Sequence, residues 1–317
     1  MGSIWSQTCS IGRRPPLRGH LKTQAAVVGA GMAGVLTAYA LQQAGLSVVV
    51  LEADRIAGGQ TQNTTAKITS QHGLIYSRLI QSFGEETARR YAKANQDAVR
   101  AYQDLIDVQG ISCDWEERCA YLYGPDVTVL QEEAEAARRL GLPASFTREV
   151  SIPIPHDGAV CFEGQAQFHP LKFLKVLADQ LTIYEQSRVL TAEGDLLTTE
   201  LGSVQAEHIV FACHFPFVNF PGMYFARMHQ ERSYVLALQG APPVDGMFLG
   251  VGRDTFSLRT YGELLLLGGG GHRTGENTEG GRYDLLRRKA REWFPQSQET
   301  AHWSAQDCMP PDHVPYI

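Results

Sequence analysis

Short apolar runs punctuated by glycine organise the opening of the chain. Residues 25–28 are uniformly apolar. Gly29-Ala30-Gly31-Met32-Ala33-Gly34 follows, then an alanine-rich apolar stretch over 32–44 that Gly45 halts. Residues 47–52 are a second apolar run that ends on Glu52. This pattern predicts strand, turn, helix and strand in just over thirty residues, the length of a βαβ unit. Further along, apolar positions recur at helical spacing over 78–110, including Leu79, Ile80, Phe83, Ala88, Tyr91, Ala92, Ala98, Tyr102 and Leu105. They predict one long amphipathic helix. A strand is expected at 113–123, and a helix at 127–140 that Gly141 and Pro143 stop. Residues 159–168 read as extended and 170–181 as a helix opened by Pro170. Residues 182–213 read as a meander of strands, 227–239 and 247–268 as antiparallel strands, and 281–294 as the last helix.

The predicted fold class is α/β with α+β elements: a Rossmann-like FAD/NAD(P)-binding domain interleaved with an antiparallel-sheet substrate domain. The expected division assigns 24–80, 150–215 and 295–317 to the cofactor domain. It assigns 81–149 and 216–294 to the substrate or cap domain, and leaves 1–23 as an N-terminal arm.

The glycines carry the chemistry. Gly29 permits a tight turn, Gly31 lets backbone approach a pyrophosphate, and Gly34 lets the helix pack against the strand. The free N–H groups of Met32, Ala33 and Gly34 and the positive end of the helix dipole favour phosphate. Glu52, with Ala53 after it, stands where a carboxylate would bond a ribose hydroxyl. A nicotinamide-binding unit would soon enter another helix. Here Ala53-Asp54-Arg55-Ile56-Ala57-Gly58-Gly59-Gln60-Thr61 runs on through Gln62, Asn63, Thr64, Thr65, Ala66 and Lys67 as a polar loop. Such a loop suits an extended flavin dinucleotide, its hydroxyls and amides meeting phosphate and ring atoms. Arg55 is assigned to the adenosine end; a plain surface loop is the competing reading.

Composition narrows the class further. A net charge of −6 and a pI near 5.9 argue against nucleic acid, which needs a basic stripe. The clusters at Arg13-Arg14 and Arg287-Arg288-Lys289 read as solvated faces. No apolar run approaches the roughly 18 residues that span a bilayer, and no apolar segment precedes Ala25, so neither membrane nor secretory signal is expected. Met1-Gly2-Ser3-Ile4-Trp5-Ser6 fits the loose myristoylation pattern but reads as an ordinary start. The six cysteines include no C-x-x-C pair, so zinc and iron–sulfur sites lack support. Reduced thiols and a cytoplasmic location are expected.

Three blocks resemble a known family: Val27-Val28-Gly29-Ala30-Gly31-Met32-Ala33-Gly34, Leu51-Glu52-Ala53-Asp54-Arg55-Ile56, and Asn63-Thr64-Thr65-Ala66-Lys67-Ile68-Thr69-Ser70-Gln71-His72-Gly73. They look like the FAD-dependent oxidoreductases of the D-amino-acid oxidase/glycine oxidase superfamily. More narrowly, they resemble the bacterial branch often fused to a C-terminal Rieske domain. Phe168-His169-Pro170-Leu171, Phe211-Ala212-Cys213-His214-Phe215-Pro216, Trp303-Ser304-Ala305-Gln306-Asp307 and the Asp312-to-Ile317 ending extend the likeness. The resemblance implies FAD along the glycine turn, its ribose on Glu52 and its ring near 64–73. It also implies backbone contact to adenine around Val189, in a strand Arg188-Val189-Leu190. A small amine or amino acid is the implied substrate. A Rieske domain or another electron acceptor is the implied partner. It further implies a glycine-led segment after Ile317, so the chain reads as a fragment of a longer protein.

Flavin oxidation of an amine needs the α-carbon held about 3–3.5 Å from the ring and any carboxylate anchored. Arginine is the natural anchor, and Arg227, Arg232, Arg253, Arg259 and Arg273 are the candidates. Arg273 is preferred, because an apolar strand leads to it through Gly268–Gly271. His72 is the candidate donor to the flavin ring, with loop ordering as its alternative. Ala212 is expected at the cofactor. His214, after Cys213, could also face the cofactor, but its neighbours Phe215, Pro216 and Phe217 favour packed core. Trp303, Gln306 and Asp307 read as structural or as the flavin's rim. An electron-transfer module, a non-catalytic dinucleotide scaffold and an NAD-linked dehydrogenase compete with the oxidase reading.

Overall fold

A computed structural model describes residues 2–215, 217–219, 222–252, 255–276, 280–312 and 314–315. The candidate Arg253, together with Pro216, His313, Tyr316 and Ile317 of the family-like blocks, lies outside them. The chain forms two compact units. One comprises Met1–Ile4, Thr65–His169 and Ser233–Ser304; the other comprises Trp5–Thr64, Pro170–Arg232 and Ala305–Ile317. The expected boundary after residue 80 differs from the observed change of unit at 64/65. The cause is pairing: the strand Lys67–Ile68 hydrogen-bonds antiparallel to Gly158–Gln167, which draws the segment from Thr65 into the unit of the antiparallel sheet.

The unit holding the glycine turn is built on a six-stranded sheet. Gly19–Val28 lies at its centre, parallel to Val48–Leu51 on one side and to Gly202–Phe211 on the other. Ile183–Tyr184 adds in parallel beyond Val48–Leu51. The all-buried pattern of Val48–Leu51 follows from cover on both faces, as parallel strands require. The helix Met32–Gln43 connects the first two strands. It ends as expected near Gly45, whose φ of +90° allows its N–H to reach Gln42 O while Leu46 N–H reaches Leu41 O. That pair of bonds satisfies the last carbonyls. Only Thr191–Glu193, Leu196–Thr198 and the start of Gly202–Phe211 form the expected meander. No strand forms at 188–190: Val189 is buried in a connection, packed with Val49, Leu51 and Leu197. The N-terminal segment is no free arm. Trp5 and Leu17 are buried, and Trp5 Nε1 donates to Thr64 O at 2.7 Å.

The other unit is built on a nine-stranded sheet. Phe256–Tyr261 and Leu264–Arg273 form its antiparallel hairpin, and Met247–Gly250 joins Glu116–Gly124 in parallel. Its core gathers Leu236, Leu238, Phe248, Leu258, Leu265 and Leu267 with Leu286 of the helix Arg282–Trp293 and Phe294 just after it. The single helix expected over 78–110 is two helices, Tyr76–Phe83 and Glu85–Gln109. Gly84 takes φ +79° and ψ 162° between them, which ends the first helix while the hydrophobic period runs on. The strand Gln298–Met309 was not anticipated as a twelve-residue element.

Candidate cofactor site

The site is assembled at the C-terminal ends of the parallel strands, where ligands bind in open α/β sheets. Gly29 has φ +106°, and a Cβ there would lie 2.6 Å from Ala212 O and 3.2 Å from Cys213 Cα. A Cβ on Gly34 would stand 1.9 Å from Gly29 O. The two glycines therefore let the turn, the helix and the end of Gly202–Phe211 close on one another. Gly29 N–H bonds Leu51 O at 2.8 Å, and Ala212 N–H bonds Val28 O at 2.8 Å.

Glu52 points at this turn: its Oε2 accepts from Ala30 N–H at 2.7 Å and its Oε1 from Asp54 N–H at 2.9 Å. The polar loop after Ala53 folds back on the turn. Ala57 N–H returns to Ala30 O at 2.9 Å, and Thr61 opens a 3-10 turn over Thr61–Asn63. Thr61 Oγ1 accepts from Met32 N–H at 2.9 Å, so one first-turn donor of the helix is already capped. The N–H groups of Ala33 and Gly34 have no acceptor among the described residues, and Ala33 is exposed. Free donors at a helix N-terminus, a turn that tolerates no Cβ and a carboxylate on the adjoining strand end fit the diphosphate and ribose of FAD.

Other expected contacts have different partners. The Arg55 guanidinium donates to Glu185 Oε2 at 2.6 Å and to Ile11 O at 2.9 Å. Buried Glu185 also accepts from Ile56 N–H and Arg14 N–H, so Arg55 ties the loop down. Nothing in the local sequence signals Glu185 as its partner. Gln60 Oε1 accepts from Gln306 N–H at 2.6 Å, and Gln306 Oε1 accepts from Arg232 at 2.7 Å. His214, expected in the core, is instead exposed and has φ +63°.

In the antiparallel unit, the segment continuing from Thr65 is held by a buried arginine. Arg259 donates to Thr65 O at 2.8 Å and to Ala66 O, and Ala66 takes φ +56°. Arg259 is thus a clamp on backbone and not an exposed anchor. Lys67 Nζ donates to Phe248 O at 2.9 Å. Burial, reinforced by the Arg259 charge, lowers its pKa to about 7. Gln71 is buried, and its Nε2 has no acceptor among the described residues. His72 keeps part of its ring at the surface, with Nε2 3.1 Å from Asn95 Oδ1 and its edge toward Tyr91. Desolvation lowers its pKa, and the Asn95 bond partly opposes that. Arg273 is exposed at the end of its strand, 3.6 Å from Glu276. Arg227 is also exposed.

The Lys67 shift gives a pH signature. In the unfolded chain the amine titrates near 10.5, in the folded chain near 7. Between those values the folded state binds fewer protons, so stability rises as pH climbs from about 7 toward 10, on the order of 2–5 kcal/mol from this group. Urea unfolding midpoints across that window should climb for the natural chain and climb much less for Lys67→Met. Equal slopes would show that Lys67 is charged in the fold.

The fold and turn define a dinucleotide-binding flavoprotein. Residues 24–317 match the family model DAO, FAD dependent oxidoreductase, and the chain belongs to that family. It is 33% identical over 335 residues to the putative Rieske 2Fe-2S iron-sulfur protein YhfW of Bacillus subtilis, covering 99% of this chain and 65% of that protein. Among solved structures, it is similar to glycine oxidase from Geobacillus kaustophilus, with a TM-score of 0.73 at 16% identity over 94% of this chain and 85% of that one. It is also similar to L-amino acid deaminase from Proteus myxofaciens in complex with anthranilate, with a TM-score of 0.76 at 16% identity over 100% of this chain and 86% of that one. No helix among the described residues is long and apolar enough to cross a membrane.

Proposed function

We propose that this FAD-dependent oxidoreductase oxidises a small amine or amino acid. The observation that carries the cofactor half of this reading is the pair of N–H groups at Ala33 and Gly34 without an acceptor among the described residues, at a turn whose Ala30 N–H bonds Glu52. Gly29, Gly31, Met32, Ala33, Gly34, Glu52, Ala53, Thr61 and Ala212 are the proposed contacts. Gln60, Thr64, Thr65, Ala66 and Val189 frame the same ligand, and Arg55 stabilises the loop through Glu185. FAD, when bound, supplies the hydride acceptor at flavin N5. The chain's own residues bind and orient the amine and exclude water.

Arg273 is the proposed carboxylate anchor, because its long contact to Glu276 leaves the guanidinium accessible. His72 is the proposed polar group at the ring. Its lowered pKa keeps the imidazole neutral near pH 7, so it can donate one hydrogen bond without adding charge. Likeness to proteins named as glycine oxidase and L-amino acid deaminase supports an amine-bearing substrate. Purified protein should show flavin absorbance that bleaches anaerobically with the right amino acid. Arg273→Met should raise KM for that acid about tenfold or more while kcat changes less. Flavin that no amine reduces would overturn the oxidase reading.

A second reading has one specific support: the relative YhfW is named a Rieske protein, and this chain spans 65% of it. FAD would then pass electrons to a Rieske cluster carried elsewhere. Rapid oxidation of the reduced flavin by a Rieske protein, with slow oxidation by oxygen, would favour it.

A further inference from the structure

The strand Gly202–Phe211 ends beside the glycine turn, where Ala212 O and Cys213 Cα would touch a Cβ on Gly29. One residue on, His214 takes φ +63°, and Phe215 N–H closes back on Cys213 O at 2.7 Å. A two-residue closure about a residue with positive φ is the rare, strained hand of γ-turn. Such strain in a residue other than glycine persists where the surroundings hold it, and it concentrates at ligand sites.

The turn carries the imidazole, exposed, at the C-terminal edge of the parallel sheet. Asp307 faces it, Glu231 faces Asp307, and Cys308 lies beside Asp307. Glu52 faces the preceding Cys213. The charged groups placed at this edge are thus mainly acidic, while Arg55 is bound to Glu185. A dinucleotide brings two further negative charges to the edge. The helix N-terminus offers dipoles and N–H donors to them, Arg232 is engaged by Gln306 beside Asp307, and His214 can add a donor that becomes cationic on protonation.

We propose that His214 is a direct contact of the FAD diphosphate, carried to the C-terminal edge of the parallel sheet by the strained turn that follows Gly202–Phe211. This rests on the cofactor assignment and adds a residue and a pH response to it. Its protonated form is the stronger phosphate donor. Burial lowers the imidazole pKa from its ordinary 6.5 and the Asp307 carboxylate partly opposes that, so affinity for FAD should rise as pH falls from about 7 to about 5.

The test is titration of FAD-depleted full-length chain with FAD across that range, read by flavin fluorescence, alongside melting of the same preparations without FAD. His214→Gln and His214→Gly are each expected to weaken FAD about tenfold at the acid end and to flatten the pH dependence. Asp307→Asn is expected to move the dependence to still lower pH, because burial lowers the imidazole pKa and the carboxylate is what opposes it. Without FAD, His214→Gly should melt no lower than the natural chain, since glycine accepts the positive φ. That separates contact from folding. Affinities and pH profiles in both His214 variants equal to those of the natural chain would overturn the proposal. A natural chain that takes up no FAD would overturn the cofactor site itself.

Discussion

Gly34→Ala is expected to yield a chain that no longer retains FAD and unfolds at markedly lower denaturant. The added Cβ would lie 1.9 Å from Gly29 O and 3.0 Å from Gly29 C. Both are backbone atoms of a turn fixed by Gly29 N–H to Leu51 O and by the Ala212 contact, so no side chain can rotate away. Relief requires the helix to lift from the strand. That costs roughly 1–3 kcal/mol of overpacking, or more, and moves Ala33 and Gly34 N–H away from the glycine turn. The cofactor's own stabilisation of the fold is then lost as well. Gly12→Ala is the matched control, because its nearest contact would be Arg14 Nη1 at 3.5 Å. Flavin content after purification and urea midpoints of both variants check this. A Gly34→Ala protein with full flavin content would show that the turn does not need the close approach.

The same turn explains why the cofactor half of the site was legible in the sequence. A βαβ unit depends on local properties: an apolar run, a residue without Cβ, a helix stop. Each of these falls within a few positions of the next, so 25–52 could be read almost residue by residue. The rest of the site rests on pairs far apart in the chain. Arg55 reads as a cofactor ligand until Glu185 is placed beside it, 130 residues away. Arg259 reads as a substrate anchor until its guanidinium is found on Thr65 O, 194 residues away. His214 and Asp307 lie on separate elements, and no periodicity links them. Gly84 was missed for another reason: apolar spacing continues across it, and only its backbone angles reveal that one helix has become two. The strand Gln298–Met309 carries Glu, His, Gln and Asp among its apolar positions, which hides the alternation that marks a strand. Family likeness covered these gaps at the level of fold; it did not supply the partners.

The start of the helix Tyr76–Phe83 holds the second large effect. Ile75, Tyr76 and Ser77 present three N–H groups where Tyr76–Phe83 begins, and Ile75 has no side-chain oxygen to cap them. Glu133, 1% exposed, supplies the cap from the helix Val127–Arg139: Oε1 accepts from Ile75 at 2.9 Å and Tyr76 at 2.8 Å, and Oε2 accepts from Ser77 at 2.9 Å. Burial raises the carboxyl pKa while the three N–H groups pull it down, and burial prevails. Removing the acceptor leaves three donors buried without partners. Glu133→Ala should therefore cost about 3–5 kcal/mol. Glu133→Gln keeps one carbonyl but turns an amide donor toward N–H groups, and should cost less, about 1–3 kcal/mol. The loss should be local before it is global. Tyr76 hydroxyl also donates to Ser70 O, so loosening this turn releases the segment that carries Gln71 and His72. Hydrogen exchange at Ile75–Ser77 should accelerate in Glu133→Ala under conditions where the core strand Leu264–Arg273 stays protected. Unchanged exchange there, with an unchanged melting temperature, would mean that water satisfies these donors as well as the carboxylate does.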